Sequence, residues 1–271
     1  MSTRSALLNV MTAAVLKASR NLVRDFGEVE NLQVSTKGPK DFVSAADLRA
    51  QQTLQRELSK ARPSYSFLLE ESGEVVGDDR DNRWIIDPLD GTTNFLHGIP
   101  HFAISVGLER RGEVIAGVVY DPIKDEMFVA EKGQGAFLND RRLRVSARRD
   151  LGAAVVATGV PPAQLVRAGW HLKIQESIIG QVVGLRRFGA ASLDLAYVAA
   201  GRLDGFWEFG LAPWDIAAGM VIVREAGGAV LDFDGNTDAM ATGSVIASNN
   251  QLQVSFGRAL RDAAKLADAA A

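Results

Sequence analysis

The stretch that decides the fold is Trp84-Ile85-Ile86-Asp87-Pro88-Leu89-Asp90-Gly91-Thr92-Thr93-Asn94. Its first three residues are apolar and predict a short buried strand. Pro88 then restricts the backbone as the chain leaves that strand, so that Asp87 and Asp90 can converge on one point. Two carboxylates at the end of a buried strand indicate a ligand site, because ligands bind outside the carboxyl ends of strands in α/β sheets.

The residues that follow Asp90 suit a phosphate group. Gly91 allows the backbone to approach a ligand closely. The amides of Gly91 and Thr92 would open a helix, and the amides at a helix N-terminus attract phosphate. The stretch also has a simpler interpretation, as a strand followed by an Asp-Pro and Asp-Gly turn, and other parts of the sequence must decide between the two.

A second apolar run ends in acidic residues upstream. Residues 66–69 lead directly into Glu70 and Glu71. If the two predicted strands are neighbours, Glu70, Asp87 and Asp90 form a set of oxygen ligands. Mg²⁺ prefers such a set in company with phosphate oxygens and water. Taken alone, the two glutamates would more simply be a solvated acidic turn.

A further acidic residue lies far downstream, in Pro213-Trp214-Asp215-Ile216-Ala217-Ala218-Gly219. Asp215 stands at the predicted start of a helix. An aspartate there is commonly an N-cap that contributes about 1 kcal/mol to helix stability, and on its own this is the simpler interpretation.

The rest of the chain predicts helices and strands in mixed order. A first helix ends at Gly27, and Ser44-Ala45-Ala46-Asp47 predicts the capping box of a second. Strand-like runs between 102 and 130 predict an antiparallel meander, and strands alternate with helices farther on, one of them a helix over 165–179. This order argues for mixed α/β layers. A polar stretch over 139–150 predicts a boundary between an N-terminal α+β subdomain, 1–146, and a C-terminal α/β subdomain, 147–271.

Composition excludes several classes of function. The chain has 271 residues, a formal net charge of −3 and a pI of about 5.7, whereas a nucleic-acid-binding domain is usually basic. It has no cysteine, which excludes disulfides, thiolate chemistry and Cys-based metal sites. No apolar run is long enough to predict a membrane span, and the apolar N-terminal stretch lacks a signal peptide's cleavage site. We expect a cytoplasmic protein.

Together these motifs resemble those of the inositol monophosphatase family. The similar residues are 84–95 for the family's first signature, 214–219 and 224–228 for its second, Glu70-Glu71-Ser72 for its acidic element, and Asp41-Phe42-Val43-Ser44 with Asp47 for its N-terminal motif, with Ser in place of Thr. The resemblance extends from the first predicted helix to about Asn249 and is closest to bacterial members.

The resemblance implies a layered αβαβα sandwich of the metal-dependent sugar phosphatase type, with the site between two subdomains, and two or three Mg²⁺ per site. The implied metal ligands are Glu70, Asp87 and the carbonyl of Leu89 for the ion that activates water, and Asp87, Asp90 and Asp215 for an ion near the leaving oxygen. The implied catalytic residues are Glu70 and Thr92, which orient the water, and Asp87. The implied substrate contacts are Asp90, Asp215, the amides of Gly91 and Thr92 for the phosphate, and Glu208 with the backbone of Gly189, Ala190 and Ala191 for the polyol hydroxyls.

The resemblance leaves the substrate and the partners open. A myo-inositol monophosphate or a similar polyol or sugar monophosphate fits best. Relatives of this fold act on fructose 1,6-bisphosphate, histidinol phosphate or phosphoadenosine phosphate instead. Some bacterial relatives also serve the transcription or ribosome-assembly machinery as binding factors. The resemblance further implies a homodimer and inhibition by lithium.

A few residues stand apart from these assignments. Position 190 is Ala, where many relatives carry Thr or Ser, which would change how the substrate is held. Lys37 would neutralise Asp47 or support a third metal, or it would be an ordinary surface residue, and the sequence leaves the roles of Asp41 and Asp47 open. His97, His101 and His171 are expected to be structural or on the surface, with His97 at the rim of the pocket. Arginines 141, 142, 144, 148 and 149 are expected to form a solvated loop rather than a binding surface.

Overall fold

The structure is a computed structural model that describes residues 5–28, 34–38 and 41–269, with the backbone alone for 34–38 and 41–43. The strands, in chain order, are β1 (Val34–Gly38), β2 (Asp41–Ser44), β3 (Tyr65–Leu69), β4 (Gly73–Val75), β5 (Asp79–Asp90), β6 (Ala103–Arg110), β7 (Glu113–Asp121), β8 (Glu126–Glu131), β9 (Gly135–Leu138), β10 (Arg141–Arg142), β11 (Val155–Thr158), β12 (Gly184–Arg186), β13 (Gly205–Phe209), β14 (Gly228–Leu231) and β15 (Ser244–Asn249). The α-helices are α1 (Ala6–Phe26), α2 (Ala45–Ala61), α3 (Thr92–Leu96), α4 (Ala168–Ile179), α5 (Ala191–Ala199), α6 (Pro213–Glu225), α7 (Ala239–Thr242) and α8 (Gln253–Ala269). The side chains of Lys37 and Asp41 lie outside this description.

The described strands form two large sheets and one small hairpin. The first sheet has eight strands in the order β10-β9-β8-β7-β6-β5-β3-β4, and the second has five in the order β12-β11-β13-β15-β14. Helices α1 and α2 cover the outer face of the first sheet, α5 and α6 lie between the sheets, and α4 and α8 cover the outer face of the second. The predicted αβαβα layering is confirmed.

The second helix begins where the sequence predicts, and at the starts of both α1 and α2 side chains satisfy amides that a helix start leaves unpaired. Ser5 Oγ accepts a hydrogen bond from the amide of Leu8 at 3.1 Å. Ser44 Oγ accepts from the amide of Ala46 at 3.1 Å, and a carboxylate oxygen of Asp47 accepts from the amide of Ser44 at 2.8 Å. This capping box holds Asp47 in a buried position.

Strand β5 carries the decisive stretch to the middle of the first sheet. It pairs in parallel with β3 and antiparallel with β6. The pairing with β6 is interrupted between Asp87 and Asp90, where Pro88 has no N–H to donate to the ladder. Such irregularities re-aim side chains and are common beside active sites. Both aspartates therefore lie next to a break in regular pairing.

Small residues allow α6 to pack closely on the first sheet. A Cβ atom at Gly117 of β7 would lie 2.6 Å from the carbonyl oxygen of Ala218, so no larger residue fits without a shift of the helix. At the start of α6, Ser105 Oγ of β6 donates a hydrogen bond to the carbonyl oxygen of Trp214 at 3.2 Å. This close approach brings Asp215 to the end of β5.

The structure also extends and corrects the predicted elements. The helix expected over 165–179 starts as a short 3₁₀ helix over Pro162–Arg167, and α4 begins only at Ala168. Strands β9, β14 and β15 and helix α8 were not predicted. The chain passes from the first sheet to the second between β10 and β11, and the division into two subdomains near residue 146 stays a prediction. None of the helices described is both long and apolar enough to cross a membrane.

Candidate active site

Glu70 and Asp87 meet where two parallel strands end. Leu69 of β3 lies opposite Ile86 of β5, and the amide of Glu70 donates to the carbonyl oxygen of Ile86 at 3.2 Å. The carboxyl groups of Glu70 and Asp87 are close enough to interact, since Glu70 is among the groups that raise the pKa of Asp87. Asp87 Oδ1 also accepts from the amide of Leu89 at 2.9 Å. The two acids that the sequence predicts at neighbouring strand ends are therefore close together.

The carboxylate of Asp90 is held by the start of α5. Its Oδ2 atom accepts hydrogen bonds from the amide of Ser192 at 2.7 Å and from the Ser192 hydroxyl at 2.5 Å, and the amide of Ala191 donates to the same carboxylate. Burial raises the pKa of Asp90 to about 6, the hydrogen bonds from Ser192 oppose this rise, and the charge of Glu70 adds to it. The expected contact of Ala191 with a substrate hydroxyl stays a prediction.

Asp215 reaches the same cluster from the first turn of α6. Its Oδ2 atom accepts a hydrogen bond from the amide of Ala212 at 2.7 Å, so Asp215 also caps the helix, as the simpler interpretation expects. Helix α6 packs against β5 and β6. The capping role does not remove Asp215 from the cluster, since its charge contributes to raising the pKa of Asp87.

The pKa of Asp87 reflects the crowding of negative charge. Burial raises this pKa well above its usual range, and the charges of Glu70, Asp90 and Asp215 raise it further. Among the side chains described, neither Asp87 nor Asp90 forms an ion pair with Lys or Arg. Buried carboxylates without a counter-charge are costly. A bound cation would relieve that cost.

The donor atoms of the cluster suit a hard divalent cation. Its side chains are all carboxylates, and carboxylate and carbonyl oxygens are the ligands of Mg²⁺ rather than of softer metals. In the described part of the chain, no three Asp, Glu or His side chains already stand as a metal-ligand group. The fit of a cation therefore rests on the chemistry of the donors and on the burial of Asp87 and Asp90.

Thr92 connects the cluster to the start of α2. The Thr92 hydroxyl lies 3.2 Å from Asp47 Oδ1 and 3.0 Å from the carbonyl oxygen of Leu89, and can donate its proton to either. Burial raises the pKa of Asp47, the hydrogen bonds from Ser44 oppose the rise, and the charge of Glu70 adds to it. Asp47 was absent from the predicted ligand and catalytic set, although the N-terminal motif contains it.

Gly91 has a backbone conformation that explains why glycine is present. Its φ is +92°, in the left-handed region. A Cβ atom here would lie 3.1 Å from the carbonyl oxygen of His101 and 3.3 Å from the Cβ atom of Ala190. Ala190 is thus packed against the loop that carries Asp90. That the amides of Gly91 and Thr92 receive a phosphate stays a prediction.

Glu208 lies deep in the second sheet, near the end of β13. Its side chain rests against the residue that follows β11, because a Cβ atom at Gly159 would lie 2.3 Å from Glu208 Oε2. Burial raises the pKa of Glu208 well above its usual range, and the charges of Asp194, Asp215 and Asp90 raise it further. Glu208 therefore belongs to the same electrostatic environment as the carboxylate cluster.

Several residues at this site were not predicted. Asn94 Nδ2 donates to the carbonyl oxygens of His101 and Phe188, both at 2.8 Å, and so joins the first signature to the segment before Gly189. Asp194 is buried, and burial raises its pKa well above the usual range, with a further contribution from Asp90. Asn94 lies within the quoted motif, but nothing local in the sequence indicates its distant partner.

The histidines and arginines show no direct part in the cluster. The ring of His101 packs 5.2 Å from that of Phe188, and burial followed by the charge of Lys124 lowers the pKa of His101 to about 4. His171 is buried beside Trp170. The five arginines of the stretch 141–149 are all exposed, as expected for a solvated stretch, and Arg148 in addition forms an ion pair with Asp204.

Comparison with known proteins identifies the family. The chain belongs to the inositol monophosphatase family, whose model matches residues 3–265. It is 57% identical over 258 residues to a protein of Mesorhizobium japonicum named inositol-1-monophosphatase, covering 95% of this chain and 97% of that relative. It is 43% identical over 263 residues to the Nus factor SuhB of Escherichia coli, covering 97% and 98% of the two chains.

A solved structure confirms the layered fold. The extragenic suppressor protein SuhB from Bartonella henselae superimposes with a TM-score of 0.91 at 56% sequence identity, covering 94% of this chain and 98% of that one. At this identity the same layers and connections are expected along nearly the whole chain. The family and the fold class inferred from the motifs are both confirmed.

Proposed function

We propose that this chain is a magnesium-dependent phosphatase that converts a myo-inositol monophosphate, or a similar polyol or sugar monophosphate, to the free alcohol and phosphate. The observation that carries the proposal is the cluster that the buried Asp87 and Asp90 form with the half-buried Glu70 and Asp215, near the hydroxyl of Thr92. Membership of the inositol monophosphatase family identifies the chain as a phosphatase. The substrate is suggested by the name of the Mesorhizobium japonicum relative.

The acidic residues would hold two or three Mg²⁺. The proposed ligands are Glu70, Asp87, Asp90, Asp215 and the carbonyl oxygen of Leu89. Bound Mg²⁺ would neutralise the phosphate dianion, lower the pKa of a water molecule and stabilise the departing alkoxide. The protein's part is to fix these oxygen atoms at the ends of β3 and β5 and the start of α6 before the substrate arrives, because preorganised charge needs no rearrangement during the reaction.

Thr92 would orient the attacking water together with Glu70. The Thr92 hydroxyl has one proton, which it donates to Asp47 or to the carbonyl of Leu89. Its oxygen then remains an acceptor for a proton of the water. A water held by acceptors on Thr92 and Glu70 presents a lone pair in a fixed direction, and fixed orientation lowers the barrier to attack. Asp47 is thus a positioning residue that acts through Thr92.

The opposite side of the site would bind the alcohol. The amides of Gly91 and Thr92 would receive the phosphate, and Glu208, with the backbone of residues 189–191, would bind hydroxyl groups. Burial raises the pKa of Glu208, and a carboxyl group hydrogen-bonds to hydroxyls whether or not it is protonated, but it provides no positive charge for a second phosphate. This favours a neutral polyol over a bisphosphate such as fructose 1,6-bisphosphate.

Phosphate release from myo-inositol 1-phosphate tests the proposal. We expect release that requires Mg²⁺ and is inhibited by lithium, and a panel of equimolar phosphate esters would then rank the substrates. The panel includes fructose 1,6-bisphosphate, histidinol phosphate and phosphoadenosine phosphate. Folded, magnesium-supplied protein that releases no phosphate from any of these esters would overturn the proposal.

A second candidate function comes from a different group of relatives. The proteins at 43–45% identity are named Nus factor SuhB, which favours an additional role as an accessory factor of the transcription or ribosome-assembly machinery. Co-purification with RNA polymerase, retained when Asp90→Asn has abolished phosphate release, would support a role independent of catalysis. Absence of RNA polymerase from the purified wild-type protein would count against it.

Three further properties follow from the family rather than from the residues described. We propose that the chain is a homodimer, that lithium inhibits it, and that it works in the cytoplasm. Sedimentation analysis would test the first property, and the phosphate assay with lithium would test the second. Fluorescence of a tagged chain in cells would test the third.

A further inference from the structure

Asp90 is oriented by a residue that lies 102 positions farther along the chain. Asp90 ends a strand of the first sheet, whereas Ser192 belongs to the first turn of α5, between the sheets. The amide and the hydroxyl of Ser192 both donate to Asp90 Oδ2, at 2.7 and 2.5 Å. Ser192 is fully buried, so water does not compete for these bonds.

Two donors on one oxygen fix the rotation of the carboxylate. A single hydrogen bond leaves a carboxylate free to swing about its Cβ–Cγ bond, whereas two donors from a rigid helix turn select one orientation. Bonds to a charged acceptor are also stronger than those between neutral groups. The orientation of Asp90 therefore depends on where α5 begins.

The segment at the start of α5 is held by contacts with the loop that follows β5 of the first sheet. Asn94 Nδ2 donates to the carbonyl oxygen of Phe188 at 2.8 Å, just before the helix. A Cβ atom at Gly91 would lie 3.3 Å from the Cβ atom of Ala190, so the two loops are in near contact. Ser192 thus has a fixed position relative to Asp90 before any ligand binds.

We propose that Ser192 is a positioning residue that sets the affinity of the site for Mg²⁺ by holding the Asp90 carboxylate in one orientation, without contacting the substrate. The inference rests on the proposed metal-dependent function of this cluster. Partners that orient a metal ligand typically change metal affinity by about 10- to 100-fold when removed. A change of this size in Mg²⁺ affinity would distinguish a residue that orients Asp90 from one that only fills space in the core.

Ser146 provides a matched control. Its hydroxyl donates to Asp204 Oδ1 at 2.6 Å, a bond of nearly the same length to another buried aspartate. Asp204 lies away from the carboxylate cluster, beside Arg148 and the start of β11. Ser146→Ala therefore removes a comparable hydrogen bond without touching the proposed metal site.

The experiment is calorimetric titration of Mg²⁺ into the full-length wild type, Ser192→Ala and Ser146→Ala, with folding checked by circular dichroism. We expect the Mg²⁺ dissociation constant to rise at least about tenfold in Ser192→Ala and to stay at the wild-type value in Ser146→Ala. At saturating Mg²⁺, the KM of Ser192→Ala for myo-inositol 1-phosphate should equal that of the wild type.

Ser192→Cys extends the test if Ser192→Ala does not fold, because cysteine keeps the side-chain volume but donates only weakly. It should also bind Mg²⁺ more weakly than the wild type. Wild-type Mg²⁺ affinity in a folded Ser192 variant would overturn this inference and leave the proposed function intact. An equal loss of affinity in Ser146→Ala would also overturn it. If the wild type shows no saturable Mg²⁺ binding, both the role of Ser192 and the proposed metal-dependent function are overturned.

Discussion

Two buried aspartates, Asp204 and Asp90, have similar hydrogen bonds and opposite electrostatic surroundings. Asp204 accepts from the Ser146 hydroxyl at 2.6 Å and from the amide of Val155 at 2.8 Å, and it pairs with Arg148 at 3.0 Å. Asp90 accepts from a serine hydroxyl and a backbone amide at similar distances. Its charged neighbours, however, are other acids.

This difference in electrostatic surroundings distinguishes Asp204, whose role is structural, from Asp90, which belongs to the proposed site. A buried carboxylate costs several kcal/mol unless a counter-charge and hydrogen bonds compensate. The chain itself supplies that counter-charge to Asp204. For Asp90 the described side chains supply hydrogen bonds but no cation, and the proposed Mg²⁺ would supply the compensating charge. The repulsion among these acids is then a property of the metal-free site that the proposed metal ion would relieve.

The largest expected effect concerns the two aspartates themselves. Asp90→Asn should lower kcat/KM for phosphate release by at least about 10³-fold, because a charge that organises the transition state is lost. Asp204→Asn should destabilise the protein but leave kcat/KM per folded molecule close to that of the wild type. The comparison requires phosphate-release assays and urea denaturation on the same preparations. Retained activity in Asp90→Asn would refute the assignment of Asp90 to the site.

The pH dependence of metal-free protein should reveal the repulsion directly. Burial raises the pKa of Asp90 from 3.8 to about 6, so between these values the folded state binds more protons than the unfolded state. The free energy of unfolding should therefore fall as pH rises through this window, by up to about 3 kcal/mol for this group. In Asp90→Asn the fall should be smaller. Urea denaturation in a chelator at several pH values measures both curves.

Equal pH dependence in the wild type and Asp90→Asn would contradict this electrostatic account. Asp204→Asn is the control for the loss of a buried carboxylate elsewhere in the fold. With Mg²⁺ present, the direction should reverse, because protons compete with the metal for the same carboxylates. Mg²⁺ should thus stabilise the protein more at pH 7.5 than at pH 5.

A smaller effect is expected from removal of the counter-charge at Asp204. Arg148→Met should lower the free energy of unfolding by about 1–2 kcal/mol, less than the loss of one partner of a fully buried ion pair, because the Arg148 side chain is 48% exposed. Phosphate release per folded molecule should not change. Urea denaturation measures the expected loss of stability, and the phosphate assay checks that activity is unchanged. Unchanged stability would mean that Arg148 does not compensate Asp204.

The parts of the fold and site that the sequence predicts are those that depend on local pattern. The apolar runs before Glu70 and Asp87 identify two strands and the acids at their ends, since each run and its acid are contiguous. The capping box at Ser44 and Asp47 identifies the start of α2. Asp215 is the instructive case, because its capping hydrogen bond and its proximity to Asp87 are both present.

The features that escape prediction depend on distant packing. Ser192 contacts Asp90 only because α5 lies between the sheets, and no spacing in the sequence indicates that contact. The same holds for Asn94 with Phe188, and for Glu208 with Gly159. Strands β14 and β15 are short, and their pairing is set by tertiary context more than by intrinsic preference. Sequence therefore identifies the acids of the site better than the groups that orient them.

Mg²⁺ titration of the wild type, Asp90→Asn and Asp204→Asn by calorimetry at pH 7.5 tests the central claim most directly. It measures the binding of the proposed counter-ion itself and requires no assumption about the substrate. The account predicts saturable Mg²⁺ binding by the wild type, the same binding by Asp204→Asn, and a greatly weakened affinity in Asp90→Asn. Wild-type Mg²⁺ affinity in folded Asp90→Asn would contradict it.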